Sequence, residues 1–254
     1  MTGSKFNEFV QIVERLRKEC PWDKEQTNDS IKAATIEEAY EVVDAIDNKD
    51  YDELKKELGD LLLHVVFHTV IAEESNHFEI DDVIDSIQEK IIRRHPHVFG
   101  DKEVSGAEEV KTNWEEIKLS EGRVNLLDGM PPLLPALQLA HRIQEKVSKV
   151  GFDWERKEDV WKKVVEEIEE MHQSELEGTH DELEGEIGDV IFALVNYARF
   201  LRINPENALR KTNNKFIKRF GYVENKITGS GRKLSESTLK EMDKFWEESK
   251  NIVG

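Results

Sequence analysis

The residues best suited to chemistry in this sequence are carboxylates, and they recur in one pattern. Glu37-Glu38-x-x-Glu41 is followed by Glu57-x-x-Asp60, and Glu166-Glu167-x-x-Glu170 by Glu186-x-x-Asp189. A three-residue step on a helix keeps two side chains on one face, with β-carbons about 5–6 Å apart. Glu41 and Glu57 lie equally far from residue 49, and so do Glu38 and Asp60. In the later set, Glu170 and Glu186, like Glu167 and Asp189, are symmetric about Gly178. Helices joined by a short loop pack as antiparallel neighbours. A turn at each midpoint therefore gathers the four carboxylates of each set into one patch. Left bare, such a patch is unfavourable, by about 0.2–0.5 kcal/mol per exposed like-charge pair and by more away from water. A hard divalent ion relieves the conflict, and Mg²⁺ takes one or two carboxylates along with waters and substrate phosphates. The spacing thus predicts a multi-Mg²⁺ cradle for a polyphosphate.

The elements that must position these groups are legible as helices. Helix formers dominate, and apolar residues recur at three- and four-residue steps. Asp29 or Ser30 caps a helix to about Asn48. Asp50 with Glu53 forms a capping-box pattern for one reaching Glu74. Asp81 opens a helix that Pro96 ends, and Ser105 with Glu108 opens one carrying Trp114. Gly122 to Pro135 holds three of the six prolines and reads as a linker. Helices then resume over about Ala136–Val150, Lys157–Glu177 and Thr179–Leu201. Asn204-Pro205 starts another in the order cap, then proline, and Ser235 or Ser237 starts the last. A short hairpin over Val223 to Leu234 is the one weak strand signal. Gly59 and Gly188, each costing about 1 kcal/mol in mid-helix, suggest close helix packing, with plain tolerance as the alternative.

In a chain with 54 acidic residues, a single Glu-Glu-x-x-Glu is usually a solvated face. Recurrence separates this case from that one. A shift of 129 residues superimposes both motifs and the caps Asp50/Glu53 and Thr179/Glu182. With small changes of offset, Lys90 and Arg94 match Lys215 and Arg219, and Trp114 matches Trp246. The repeat unit is a whole small domain. The expected organisation is a first module over 1–120, a Pro-rich linker over 121–135 and a second module over 136–254.

Composition removes several classes. The net charge of -18 argues against a phosphate-backbone binder. One cysteine, Cys20, excludes an internal disulfide and fits a reducing compartment. The apolar run Leu61–Ala72 is too short to span a bilayer, and the N-terminus lacks the apolar core of a signal peptide. A cytoplasmic protein with no membrane and no stable nucleic-acid partner is expected. No Gly-x-x-x-x-Gly-Lys-[Ser/Thr] loop is present, so phosphates must be held otherwise.

At these residues the chain resembles the MazG family of nucleoside triphosphate pyrophosphohydrolases, in a two-module form. Cys20-Pro-Trp-Asp-Lys-Glu-Gln-Thr and Arg93-Arg-His-Pro-His-Val-Phe-Gly resemble segments of that family's first module. The carboxylate motif alone indicates only the wider all-α pyrophosphatase group. The resemblance implies an all-α fold, each module built around a four-helix arrangement, and usually a homodimer. It implies Mg²⁺-dependent hydrolysis, with Mn²⁺ as a substitute, of an NTP or dNTP to the monophosphate and pyrophosphate. Glu38, Glu41, Glu57 and Asp60 would hold metal in the first module, and Glu167, Glu170, Glu186 and Asp189 in the second. Glu37, Glu38, Glu166 and Glu167 are the candidates for supporting the site or handling the proton of the water.

The remaining conspicuous residues divide by residue type. Lys90 with Arg94, and Lys215 with Arg219, are spaced to bind phosphates from one helix face. Trp114 or Trp246 could stack on a base, the alternative being a helix-packing anchor. His64 and His68 share a face with Asp60, but the second copy has Ala193 and Tyr197 there, which favours polar packing over ligation. Glu74-x-x-His77 and Glu169-x-x-His172 mimic half of a di-iron motif at unrelated positions, which favours chance. An acidic scaffold and a di-iron bundle stand as the alternative functions.

Overall fold

The computed structural model describes residues 2–252 apart from 108, 111, 112, 115, 116 and 118–124. Among the described residues every regular element is helical. The chain divides into two compact units, Met1–Trp114 and Glu115–Gly254.

The first unit runs α1 (Thr2–Glu19), α2 (Pro21–Glu25), α3 (Asn28–Asn48), α4 (Tyr51–Glu74), α5 (Ile80–Arg94) and α6 (Pro96–Phe99). Helix α3 is capped by Thr27 rather than by Asp29 or Ser30, because Thr27 and Ser30 satisfy each other's backbone amides. Lys49, in a left-handed conformation, ends it. Asp50 caps α4 by accepting from the amides of Asp52 and Glu53. The Glu53 carboxylate reaches Lys56 at 2.5 Å. The cap of α5 is Glu79, reciprocated by Asp82, not Asp81. Val13, Ile31, Val66, Phe67 and Val70 form the core, flanked by Phe6, Phe9, Val10, Leu63, Ile71 and Ile80. Arg17 closes one end: its fork meets Glu74 at 2.8 and 3.0 Å, and it also donates to the Asp23 carbonyl. Glu74 is thereby committed to an ion pair.

The second unit runs α7 (Ala136–Ser148), α8 (Lys157–Glu177), α9 (His180–Phe200), α10 (Pro205–Thr228), a 3₁₀ turn (Leu234–Glu236) and α11 (Leu239–Ser249). Thr179 and Glu182 form the expected capping box, and Asn204 caps α10 ahead of Pro205. Val160 and Val164 on α8, Val195 on α9, and Val223 and Ile227 on α10 are buried. The Lys146 ammonium donates to the carbonyls of Leu126 and Asp128 at 3.0 and 3.4 Å, tying that Pro-rich stretch to α7.

Three further sequence expectations change. Val223–Leu234 is not a hairpin, because α10 continues to Thr228 and buries Val223 and Ile227 four residues apart on one face. The last helix is capped by Thr238, whose hydroxyl accepts from the Glu241 amide. Gly59 and Gly188 have no heavy atom within 4 Å of where a β-carbon would stand, so neither marks a close helix approach. At Ser105, the backbone amide and hydroxyl donate to Glu109, while Glu108 lies outside the described residues.

Candidate metal centre and adjoining pocket

Each unit carries one long antiparallel hairpin, α3–α4 and α8–α9, whose tight connections hold the motif-bearing stretches side by side. In the first, ligand atoms of Glu38, Glu57 and Asp60 lie within 4.8 Å of one another. In the second, those of Glu167, Glu186 and Asp189 do the same. These triads are equivalent under the 129-residue shift. The fourth carboxylate of each set stands within hydrogen-bonding reach: Glu41 beside Glu57, and Glu170 beside Glu167. The structure thus assembles both carboxylate sets that the spacing predicts.

The electrostatics of the two sets differ. In the first, Glu57 is only 8% exposed, and burial, followed by hydrogen bonds to Glu53 and Glu41, pushes its carboxyl up to about 7. Glu38 is also raised, by burial first and then by the charges of Glu41 and Asp60. The nearby imidazole, His64, places Nε2 at 3.9 Å from Glu38. Its Nδ1 meets the Thr35 hydroxyl at 3.1 Å. His68 places Nε2 at 2.8 Å from the same hydroxyl and Nδ1 at 2.7 Å from Asn28 Oδ1. Both ring nitrogens of His68 are therefore engaged in hydrogen bonds, and burial lowers its pKa.

In the second set the buried carboxylate is Glu167, on the other helix of the hairpin, also 8% exposed. It has an internal counter-ion: Lys163 Nζ lies 2.8 Å from Glu167 and 2.6 Å from Glu166. These hydrogen bonds, to Glu166 and then Glu167, hold the ammonium above its ordinary range. Glu170 is raised by burial and by its hydrogen bond to Glu167. The first module has Ala34 where the second has Lys163.

A cavity of about 290 Å³ opens beside the second set, with Lys163, Glu167 and Asp189 in its lining. Apolar groups, among them Phe152, Trp154, Val160 and Phe192, make most of its wall. The segment carrying Phe152 and Trp154 is pinned by Asp153, which takes the Arg199 fork at 2.5 and 3.0 Å, while Arg199 Nε donates to Asn196. The sequence reading missed both Lys163 and this pocket. Lys163 was discoverable, since it precedes Glu166 and Glu167 by three and four residues. The pocket was not, because its walls come from α7, α8, α9 and a loop.

The other predicted residues lie on other helices. Lys90 and Arg94 are on α5, and Lys215 and Arg219 on α10. Trp246, on α11, packs its ring 5.0 Å from that of Phe216, giving it an anchoring contact between α10 and α11. Trp114 is helical and partly exposed. Among the described residues, none of these lines the pocket beside Glu167. Glu37 and Glu166 are exposed at the edges of their clusters. His180, Asp181 and Glu184 form a third acidic group, fully on the surface.

Comparison with known proteins follows the repeat. The model of the MazG nucleotide pyrophosphohydrolase domain matches residues 26–99 and again 155–223. The chain is 45% identical over 253 residues to the nucleoside triphosphate pyrophosphohydrolase/pyrophosphatase MazG of Thermotoga maritima, covering 98% of this chain and 96% of that protein. It is 41% identical over 256 residues to the nucleoside triphosphate pyrophosphohydrolase of Escherichia coli, covering 97% of each. It is 48% identical to an uncharacterized Bacillus subtilis protein, covering 97% of this chain and 52% of that one.

Proposed function

Since this chain belongs to the MazG nucleotide pyrophosphohydrolase family, we propose that it hydrolyses nucleoside triphosphates to the monophosphate and pyrophosphate. The observation that carries this reading is the pair of carboxylate clusters, each with three ligand atoms within 4.8 Å, at repeat-equivalent positions. The raised pKa of Glu57, with Glu38 and Glu170 also raised, is what a hard divalent cation would relieve, so the donor set fits Mg²⁺, or Mn²⁺ in its place. Glu38, Glu41, Glu57 and Asp60 would hold it in the first module, and Glu167, Glu170, Glu186 and Asp189 in the second. Bound there, the ion would neutralise phosphate charge and acidify a water. Only with such a cation between them would the carboxylates hold the phosphate chain against one face of the hairpin. Glu37 and Glu166, exposed beside the clusters, would receive the proton of the attacking water. That water's oxygen bonds to the α-phosphorus as the bond to the bridging oxygen breaks, and pyrophosphate leaves. Lys90 with Arg94 and Lys215 with Arg219 would meet phosphate oxygens outside the metal's reach.

The second module is the more general NTP site, because its cluster adjoins an apolar cavity. The modules occupy 1–120 and 136–254, the protein works as a homodimer in the cytoplasm, and its role is to clear surplus or aberrant nucleotides. No described helix is long and apolar enough to cross a membrane. Product analysis with ATP and Mg²⁺ tests the activity. AMP and pyrophosphate are expected, and chelator should stop their release. ADP with orthophosphate, or inert ATP as for an acidic scaffold, overturns the reading.

A further inference from the structure

The pocket beside Glu167 contains a polar group with nothing to bind. Gln144, on α7, is 4% exposed. Its Nε2 donates to the Phe192 carbonyl at 2.8 Å. A carbonyl can only accept, so this bond fixes which way the amide points. The other end, Oε1, is buried with no hydrogen-bond partner, and Gln144 lines the cavity. A buried acceptor left unpaired costs about 1–3 kcal/mol. Such a cost is understandable where a ligand supplies the missing donor. The neighbouring surface is aromatic and apolar, and the carboxylates Glu167 and Asp189 stand in the same lining. A planar, largely apolar group bearing an N–H, attached to a phosphate chain reaching the carboxylates, matches those three features.

We propose that Gln144 is a specificity-determining residue whose Oε1 accepts an N–H from the substrate's base, seated between Trp154 and Phe192. The inference rests on the second module being an NTP site. An acceptor of fixed orientation selects for a donor on the base edge it faces. A site built to hydrogen-bond a group rejects analogues lacking it, because its own polar atom is then left bare.

The test compares kcat/KM for substrate pairs that differ only in the donor: ATP against purine riboside triphosphate, CTP against its 4-deamino analogue, and GTP against ITP. The wild-type protein should favour the donor-bearing member of at least one pair by about 10–100-fold, the range set by one unsatisfied buried group. In Gln144→Leu and Gln144→Met that ratio should fall to within about 3-fold of unity, the residue of a 1.4 kcal/mol-per-decade scale once the group is gone. A ratio within one preparation is insensitive to how much of a variant is folded. A wild-type ratio near one for all three pairs, or a preference retained in both variants, overturns the role of Gln144 while leaving the hydrolase intact. Absence of any turnover in the wild type overturns the function itself, and this inference with it.

Discussion

The two carboxylate clusters share a skeleton but not an environment. Both are built by an antiparallel hairpin, and both bring three ligand atoms within 4.8 Å. In the first, the buried carboxylate is Glu57 on α4; in the second it is Glu167 on α8, the counterpart of Glu38. The first relies on protonation to limit repulsion, with Glu57 raised to about 7. The second places Lys163 against Glu166 and Glu167. Around the first lies a chain of polar contacts, Asn28–His68–Thr35–His64, that links α3 to α4. Around the second, Ala193 and Tyr197 replace the imidazoles, Tyr197 packs on Trp161, and a cavity opens. One carboxylate geometry thus stands in two different settings, a chain of polar contacts beside the first and an apolar cavity beside the second.

The sharpest way to break this comparison is to remove one ligand charge from each cluster. Glu170→Gln should lower NTP turnover by at least about 10–100-fold, the range seen when even a ligand's supporting contacts are lost. Glu41→Gln should leave most of it. If Glu41→Gln is the damaging change, the assignment of the general site is reversed; equal partial losses would mean two working sites.

A smaller effect distinguishes how the clusters carry their charge. Without metal, Glu57 keeps its proton to about pH 7 when folded, whereas an unperturbed carboxyl loses it near 4.5. Between those values the unfolded chain has released a proton that the folded chain retains. Stability therefore falls as pH rises through that window and levels off above it. In chelator, the melting temperature of the wild-type protein relative to Glu57→Gln should decline from pH 5 to pH 7.5. Saturating Mg²⁺ should flatten the difference. A difference independent of pH in chelator would contradict the raised carboxyl.

The smallest expected change treats the two hairpins alike. Gly59 and Gly188 sit mid-helix with open space around them. Gly59→Ala and Gly188→Ala should each stabilise the metal-free protein by about 0.4–1 kcal/mol through lost freedom of the unfolded chain. Destabilisation of one alone, measured by chemical denaturation, would show that its hairpin has a constraint the other lacks.

The carboxylate clusters were legible from the sequence because helical periodicity and a short turn are local rules. Once residues 38, 41, 57 and 60 lie on two helices meeting near residue 49, their proximity follows from spacing alone. Caps were legible wherever a side chain reaches an amide within three residues, as at Thr179 with Glu182. They were misplaced where neighbours compete for that role, as at Glu79 over Asp81 and Thr27 over Asp29. The continuation of α10 through Val223 and Ile227 depended on burial against the rest of its unit, which a local pattern does not contain. The pocket needed the tertiary structure most. It joins Gln144, Trp154, Lys163 and Phe192 from four segments, and the bond from Gln144 to the Phe192 carbonyl fixes the orientation that leaves Gln144 Oε1 unpaired. Residue spacing along one hairpin determines which charges must meet; the packing of separate helices decides what space is left beside them.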